Sequence, residues 1–174
     1  NFIVVLNTLL RKAVQRAEVH PAYIDKVSSS FAMQIEAIRA VPDLSRLSDW
    51  MLRKYCLLVQ NHSLRGYTKP IQRVINYISF HLDEPLPLRV LAEVAMMNAS
   101  NLSTLFKKEA KITLTEFINQ KRIQQSLVFL NTTELPIYRI AEKVGILDEN
   151  YFSRVFRQQI GKSPRDYRKS IVKD

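Results

Sequence analysis

Ile140-Ala141-Glu142-Lys143-Val144-Gly145-Ile146-Leu147-Asp148-Glu149-Asn150-Tyr151-Phe152-Ser153-Arg154-Val155-Phe156-Arg157 decides the fold, because this run has an earlier twin. Leu91-Ala92-Glu93 precedes Ile140-Ala141-Glu142 by 49 residues, and one extra residue in the later copy then makes the offset 50. At that offset Leu102-Ser103-Thr104-Leu105-Phe106-Lys107 matches Phe152-Ser153-Arg154-Val155-Phe156-Arg157. Thr113-Leu114-Thr115-Glu116-Phe117 likewise matches Ser163-Pro164-Arg165-Asp166-Tyr167. Two amphipathic helices could share apolar spacing by chance, but shared caps are harder to obtain that way. Asn98 and Asp148 each stand before a helical run, where a side-chain oxygen can accept the unpaired N–H groups of the first turn. Thr113 with Glu116 has the spacing of a capping box, and Ser163 with Asp166 is its shorter-armed counterpart, with Pro164 at the first helical position. Each copy is therefore a short helix, a tight turn, a second helix and a capped third: a helix-turn-helix.

Apolar residues recur at helical spacing outward from this pair in both directions, and no stretch alternates as a half-buried strand would. Helices are predicted over 2–18, 22–41, 44–62, 70–83, 87–95, 99–110, 114–131, 136–144, 149–160 and 164–171. The prolines at 21, 42, 70, 85, 87, 136 and 164 fall between these runs or at their starts. The fold class is all-α: an N-terminal helical bundle followed by two helix-turn-helix units joined by a central helix. That central helix, 114–131, is about 27 Å long. One turn of duplex DNA is about 34 Å, so a rigid spacer of this length suits two reading helices on one face of a duplex.

The apolar positions Leu102, Leu105 and Phe106, with Phe152, Val155 and Phe156, are expected to face the core. The opposite faces carry Ser100, Ser103, Thr104 and Lys107 in one copy, and Glu149, Asn150, Ser153, Arg154 and Arg157 in the other. Hydroxyl, amide and guanidinium groups can read base edges. Any one of them could equally be a solvated surface residue; repetition in register beside basic flanks favours the reading role. Lys121 and Arg122 on the spacer are expected to be exposed, against DNA backbone or solvent.

Composition agrees with an anionic partner and excludes other classes. The 174 residues carry 26 Lys+Arg against 16 Asp+Glu, a net +10. Only Gly66, Gly145 and Gly161 are glycines, too few for a phosphate-cradling loop. His20, His62 and His81 are far apart, and Cys56 alone permits no intramolecular disulfide and no multi-cysteine zinc site. Cys56, in Tyr55-Cys56-Leu57-Leu58, is expected to be buried rather than nucleophilic. No metal, cofactor or enzymatic activity is expected, and the single cysteine suits a reducing compartment. The longest apolar run, Phe2 to Leu6, is far too short to span a membrane and is expected to be a buried or self-associating face. RNA is disfavoured for want of an aromatic stacking platform. A helical protein–protein adaptor with incidental basic charge is the alternative function.

A polar stretch, Asn61 to Thr68, holds the first glycine and marks the boundary between 1–66 and 67–174. The first part carries nine Lys/Arg and five Asp/Glu, the second 17 and 11, so charge alone does not say which part meets an anion. The runs Leu6-Leu9-Leu10-Ala13-Val14-Ala17 and Trp50-Met51-Tyr55-Leu58-Val59 are expected to be core in residues 1–66, a three-helix bundle or a dimerisation element, with a remnant of a signal-sensing domain as the alternative. The sequence opens on Asn1 rather than Met and is expected to be part of a longer protein.

Residues 70–171 resemble the C-terminal DNA-binding domain of AraC/XylS-type bacterial transcription regulators. The matching runs are Leu91-Ala92-Glu93, Leu102-Ser103 with Leu105-Phe106-Lys107-Lys108-Glu109, Arg122-Ile123, Ile140 to Gly145, Asn150 to Arg157, and Gly161-Lys162-Ser163-Pro164-Arg165-Asp166-Tyr167-Arg168. Val19-His20-Pro21 and Tyr55-Cys56-Leu57-Leu58-Val59 are also similar to helical regions preceding this domain in some Gram-positive members. The resemblance implies promoter DNA as partner, usually with activation of transcription, hence RNA polymerase as a second partner. It also implies a bacterial cytoplasmic, nucleoid-associated protein. By position, Ser100, Ser103, Thr104, Glu149, Asn150, Ser153 and Arg154 would face bases. Lys107, Lys108, Arg157, Lys162 and Arg165 would meet phosphates, together with the backbone N–H groups at the helix starts capped by Asn98 and Asp148. Two-fold symmetric regulators bind repeated half-sites, so a homodimer through 1–66 fits.

Three positions depart from the family pattern. Met96 and Lys111 stand where glycines are usual, at turns that demand a left-handed backbone. Ile146 replaces a bulky aromatic. The first unit also offers hydroxyls where long base-reading side chains are common. The second unit is therefore expected to supply more sequence discrimination and the first more positioning.

Overall fold

The computed structural model describes residues 2–37 and 41–171, and the chain divides into two compact units, Asn1–Tyr67 and Thr68–Asp174. Among the described residues there are ten α-helices and no strand. The first unit holds α1 (Phe2–Arg16), α2 (Pro21–Ala37) and α3 (Val41–His62). The second holds α4 (Lys69–Phe80), α5 (Leu88–Ala95), α6 (Ala99–Ala110), α7 (Leu114–Thr132), α8 (Ile137–Lys143), α9 (Glu149–Ile160) and α10 (Pro164–Ile171). The predicted helix over 22–41 is observed as far as Ala37; positions 38–40 lie outside the described residues. Helix α1 stops at Arg16 rather than 18 because Glu18 takes a left-handed φ of 57°.

In the first unit all three helices pack against one another around Ile3, Val14, Val19, Ile24, Phe31, Leu47, Met51, Tyr55 and Leu58. A polar network ties the three together inside this core. The Tyr55 hydroxyl donates to Asn7 Oδ1 at 2.7 Å, and Asn7 Nδ2 donates to the Ser28 carbonyl at 3.3 Å. Buried polar groups satisfied in this way fix which faces meet, since any slip would leave them unpaired.

Several apolar positions expected in the core are instead outside it. Leu9 and Ala13 of α1 are exposed, while Asn7 is buried on the opposite side; Phe2, Val4 and Val5, from the run expected to be a buried or self-associating face, are exposed as well. Helix α1 meets its partners along one stripe, with Ile3, Asn7 and Val14 buried and Leu6, Leu10 and, just past its end, Ala17 half-buried, so apolar residues off that stripe are left outside. Trp50 is 44% exposed, with the Lys54 ammonium 4.4 Å from its ring, because Met51 and Tyr55 already fill the inner face of α3. Cys56, one position on from Tyr55, is exposed for the same reason.

In the second unit α4, α5 and α6 pack in sequence and α6 meets α7; on the other side α7 packs with α8, α9 and α10. Helix α7 has no single apolar stripe, because it serves two cores. Leu114 and Ile118 are buried near its start, whereas Ile123 and Leu130 join the core of Ile137, Ile140, Ala141, Val144, Ile146, Phe152, Val155 and Phe156. From Ile118 to Ile123 the buried face turns by about 140°. Ile146, in place of an aromatic, is 3% exposed and fully part of that core.

Candidate nucleic-acid interface

The two helix-turn-helix units are built by the same local bonds. After α5, the Met97 N–H reaches the Ala92 carbonyl at 3.1 Å; after α8, the Ile146 N–H reaches the Ala141 carbonyl at 2.9 Å. This closure requires a left-handed residue, supplied by Met96 (φ 59°) in the first turn and Gly145 (φ 79°) in the second. Asn98 Oδ1 then accepts the Asn101 N–H at 2.8 Å to start α6, and Asp148 Oδ1 accepts the N–H groups of Asn150 (2.8 Å) and Tyr151 (3.1 Å) to start α9. The second helices end alike, at left-handed Lys111 (φ 64°) and Gly161 (φ 82°). The third helices open on matching caps: Thr113 Oγ1 and the Glu116 N–H are 3.2 Å apart, Ser163 Oγ and the Asp166 N–H 3.2 Å.

With Leu102 and Phe106 of α6 turned inward and Leu105 half-buried, Ser100, Ser103, Thr104, Lys107 and Lys108 are exposed. On α9, Phe152, Val155 and Phe156 are buried; Asn150, Arg154 and Arg157 are exposed and Glu149 and Ser153 half-buried. Lys162, between α9 and α10, and Arg165, in the first turn of α10, are exposed. The Arg154 guanidinium lies 5.3 Å from the Tyr151 ring centre, a cation–π contact that orients it before any ligand arrives. Tyr151 is held in turn by Asn119 of α7, whose Nδ2 donates to its hydroxyl at 2.8 Å.

A helix-turn-helix domain model matches residues 91–170. The regulatory protein SoxS of Escherichia coli is 38% identical over 103 residues, 59% of this chain and 96% of SoxS. The arabinose operon regulatory protein of Salmonella typhimurium is 32% identical over 127 residues, 72% of this chain and 44% of that protein. Among solved structures, the C-terminal domain of AraT, a response regulator from Geobacillus stearothermophilus, is similar at 33% identity and a TM-score of 0.58, covering 61% of this chain and 88% of that one. The chain belongs to the AraC family. It is a DNA-binding transcription regulator with an all-helical double helix-turn-helix domain, not an enzyme. The DNA-binding domain of AdpA, solved with a target DNA, shares the fold at 23% identity and a TM-score of 0.56, covering 59% of this chain and 93% of that one. Among the described residues no helix is long and apolar enough to cross a membrane.

On this AraC-type frame, one expectation about the central helix is corrected. Lys121 and Arg122 are half-buried rather than exposed. Burial holds the Lys121 ammonium below its ordinary pKa, and its Nζ lies 5.5 Å from the Phe117 ring centre. Arg122 is engaged inside the protein: Nε donates to the Leu82 carbonyl at 3.0 Å and Nη2 to the Glu84 carbonyl at 2.7 Å. The engagement of Arg122 could not have been assigned from helical spacing, because its partners lie 38 to 40 residues away in sequence. Gln158 was also overlooked. It lines a concavity of about 500 Å³ with Ser153, Arg154, Arg157 and Ser163. Its spacing of four from Arg154 carried that signal, since residues four apart share a helix face.

Proposed function

We propose that this regulator lies along promoter DNA with α6 and α9 in successive major-groove segments on one side of the duplex, and that it activates transcription. The observation carrying this reading is the pairing of two alike helix-turn-helix units across one continuous helix, α7, of 19 residues or about 28 Å. That length is close to the 34 Å repeat of the groove. In this reading Ser100, Ser103 and Thr104 of α6, and Glu149, Asn150, Ser153 and Arg154 of α9, face base edges. Lys107, Lys108, Arg157, Lys162 and Arg165 neutralise phosphates, aided by backbone N–H groups at the helix starts where Asn98 and Asp148 are the caps. The caps already occupy the N–H groups of Asn101, Asn150 and Tyr151, so the cationic side chains carry most of the phosphate attraction.

Activation implies contact with RNA polymerase, and the cell is bacterial, with the protein in the cytoplasm on the nucleoid. Residues 1–66 serve as a helical linker or dimerisation region ahead of the DNA-binding residues 67–174. The exposed Phe2, Val5 and Leu9 of α1, at helical spacing, favour a homodimer through this part.

Selection of bound duplexes from a random library tests the reading. A bipartite site should emerge, its two boxes about 10 base pairs apart from centre to centre. A single short box, or no enrichment over bulk duplex, would overturn it.

A further inference from the structure

Three parts of the DNA-binding unit meet at Arg122. It projects from the middle of α7. Its Nε and Nη2 donate to the carbonyls of Leu82 and Glu84, in the connection that leads from α4 into α5 and so belongs to the first helix-turn-helix unit. Beside it stands Gly145, in the turn of the second unit. A Cβ built on Gly145 would collide with the Leu82 carbonyl oxygen and come within 2.7 Å of Arg122 Nη2. The α4–α5 connection of one unit, the turn of the other and the helix between them are thus in direct contact at one guanidinium.

We propose that Arg122 is the positioning residue that sets the angle between the two reading helices, and hence the spacing of the DNA boxes this regulator accepts. The inference rests on the two-groove reading above. Leu114 and Ile118, in the first turns of α7, are buried close to Leu91 and Ser103 of the first unit. That attachment, like the short turn at Lys111 that joins α6 to α7, lies at the start of the helix and leaves its far end open to pivot. Arg122, about 12 Å further along α7 than Leu114, supplies a second attachment. The connection it grips runs through Pro85 and Pro87 into Leu88, and fixed proline torsions carry that constraint into α5 and so into α6. Two donors on a planar fork suit this task, whereas a lysine ammonium, with rotating donors on a flexible stem, does not fix the angle between the two carbonyls. Burial lowers the pKa of Arg122, with Asp83 and Tyr151 opposing that effect; an arginine stays charged regardless.

The consequence for DNA is geometric. One base pair inserted between the boxes moves the second box by about 3.4 Å and rotates it by about 34°. Such a displacement is beyond hydrogen-bond reach, so a rigid pair of reading helices must forfeit one box.

The test uses the full chain and the selected two-box duplex at its own spacing, with one base pair added or removed, and with either box scrambled. The unmodified protein should lose about tenfold or more in affinity at either altered spacing. Arg122→Met keeps the apolar stem and removes both donors. Its loss at altered spacing should shrink to about threefold or less, while its affinity for duplexes with one intact box stays within about twofold of normal. Arg122→Lys should fall between the two. Arg122→Met with normal helix content and an unchanged spacing profile would overturn the proposal. Should Arg122→Met lose helix content, Arg122→Lys decides, with an unchanged profile again counting against it. Failure of the unmodified protein to prefer any two-box duplex would instead defeat the two-groove reading itself.

Discussion

Met96 and Gly145 hold the same place in their respective turns and have opposite needs. Met96 has a left-handed backbone, its side chain 80% exposed, so the Cβ strain there is offset by no burial. Met96→Gly should raise stability by about 1 kcal/mol in chemical denaturation, leaving DNA affinity unchanged. Gly145 is left-handed too, but it is crowded by Leu82 and Arg122. Gly145→Ala should cost about 2 kcal/mol or more, from torsional strain and the displaced connection together. The strained turns were legible in the sequence, because a short helix, a capping asparagine and a missing glycine can all be read locally. The role of Gly145 in close approach was not legible, since the atoms it must clear come from Leu82 and Arg122, distant along the chain. The same holds for Cys56: its immediate neighbours are apolar, yet exposure follows from which face of α3 the other two helices cover.

Helix ends are where sequence and structure agree most closely, because a cap is completed within a few residues. The Thr113–Glu116 box forms as its spacing implies: Glu116 Oε2 accepts from the Thr113 N–H and hydroxyl, each at 2.8 Å. These bonds favour the charged carboxylate and hold its pKa below the ordinary value. A group whose pKa is depressed on folding adds stability that is complete above its unfolded pKa and is lost as pH falls through its folded one. The stability gap between the unmodified protein and Glu116→Gln should therefore be widest near neutral pH and close on acidification through the carboxylate range. Parallel denaturation curves at pH 7 and pH 3 check this; an equal gap at both would mean the charge is irrelevant to the cap. Asp148, which accepts two N–H groups, should be worth about 1 kcal/mol by Asp148→Ala. Faces were harder to read than ends. The apolar pattern of α1 is wider than the stripe its neighbours cover, and α7 changes its buried face midway because different cores lie on its two sides.

For the DNA-binding unit as a whole, charge and chemistry separate into affinity and discrimination under the proposed reading. Lys107, Lys108, Arg157, Lys162 and Arg165 are exposed, and each phosphate neutralised should steepen the fall of log affinity with log salt by about 0.9. Arg165→Gln should flatten that slope by about one contact and weaken all duplexes alike. Arg154→Ala belongs to the other kind. A guanidinium held over the Tyr151 ring loses little freedom on binding, and a bidentate base contact discriminates by about 1–3 kcal/mol. Thr104, with one hydroxyl on α6, has no such reach. Across a library of sites, Arg154→Ala should relax base preference at one or two positions of its own box, and Thr104→Ala should change preference less. If Thr104→Ala relaxed specificity more, the first unit would be the principal reader, and the division of labour between the two units would be reversed.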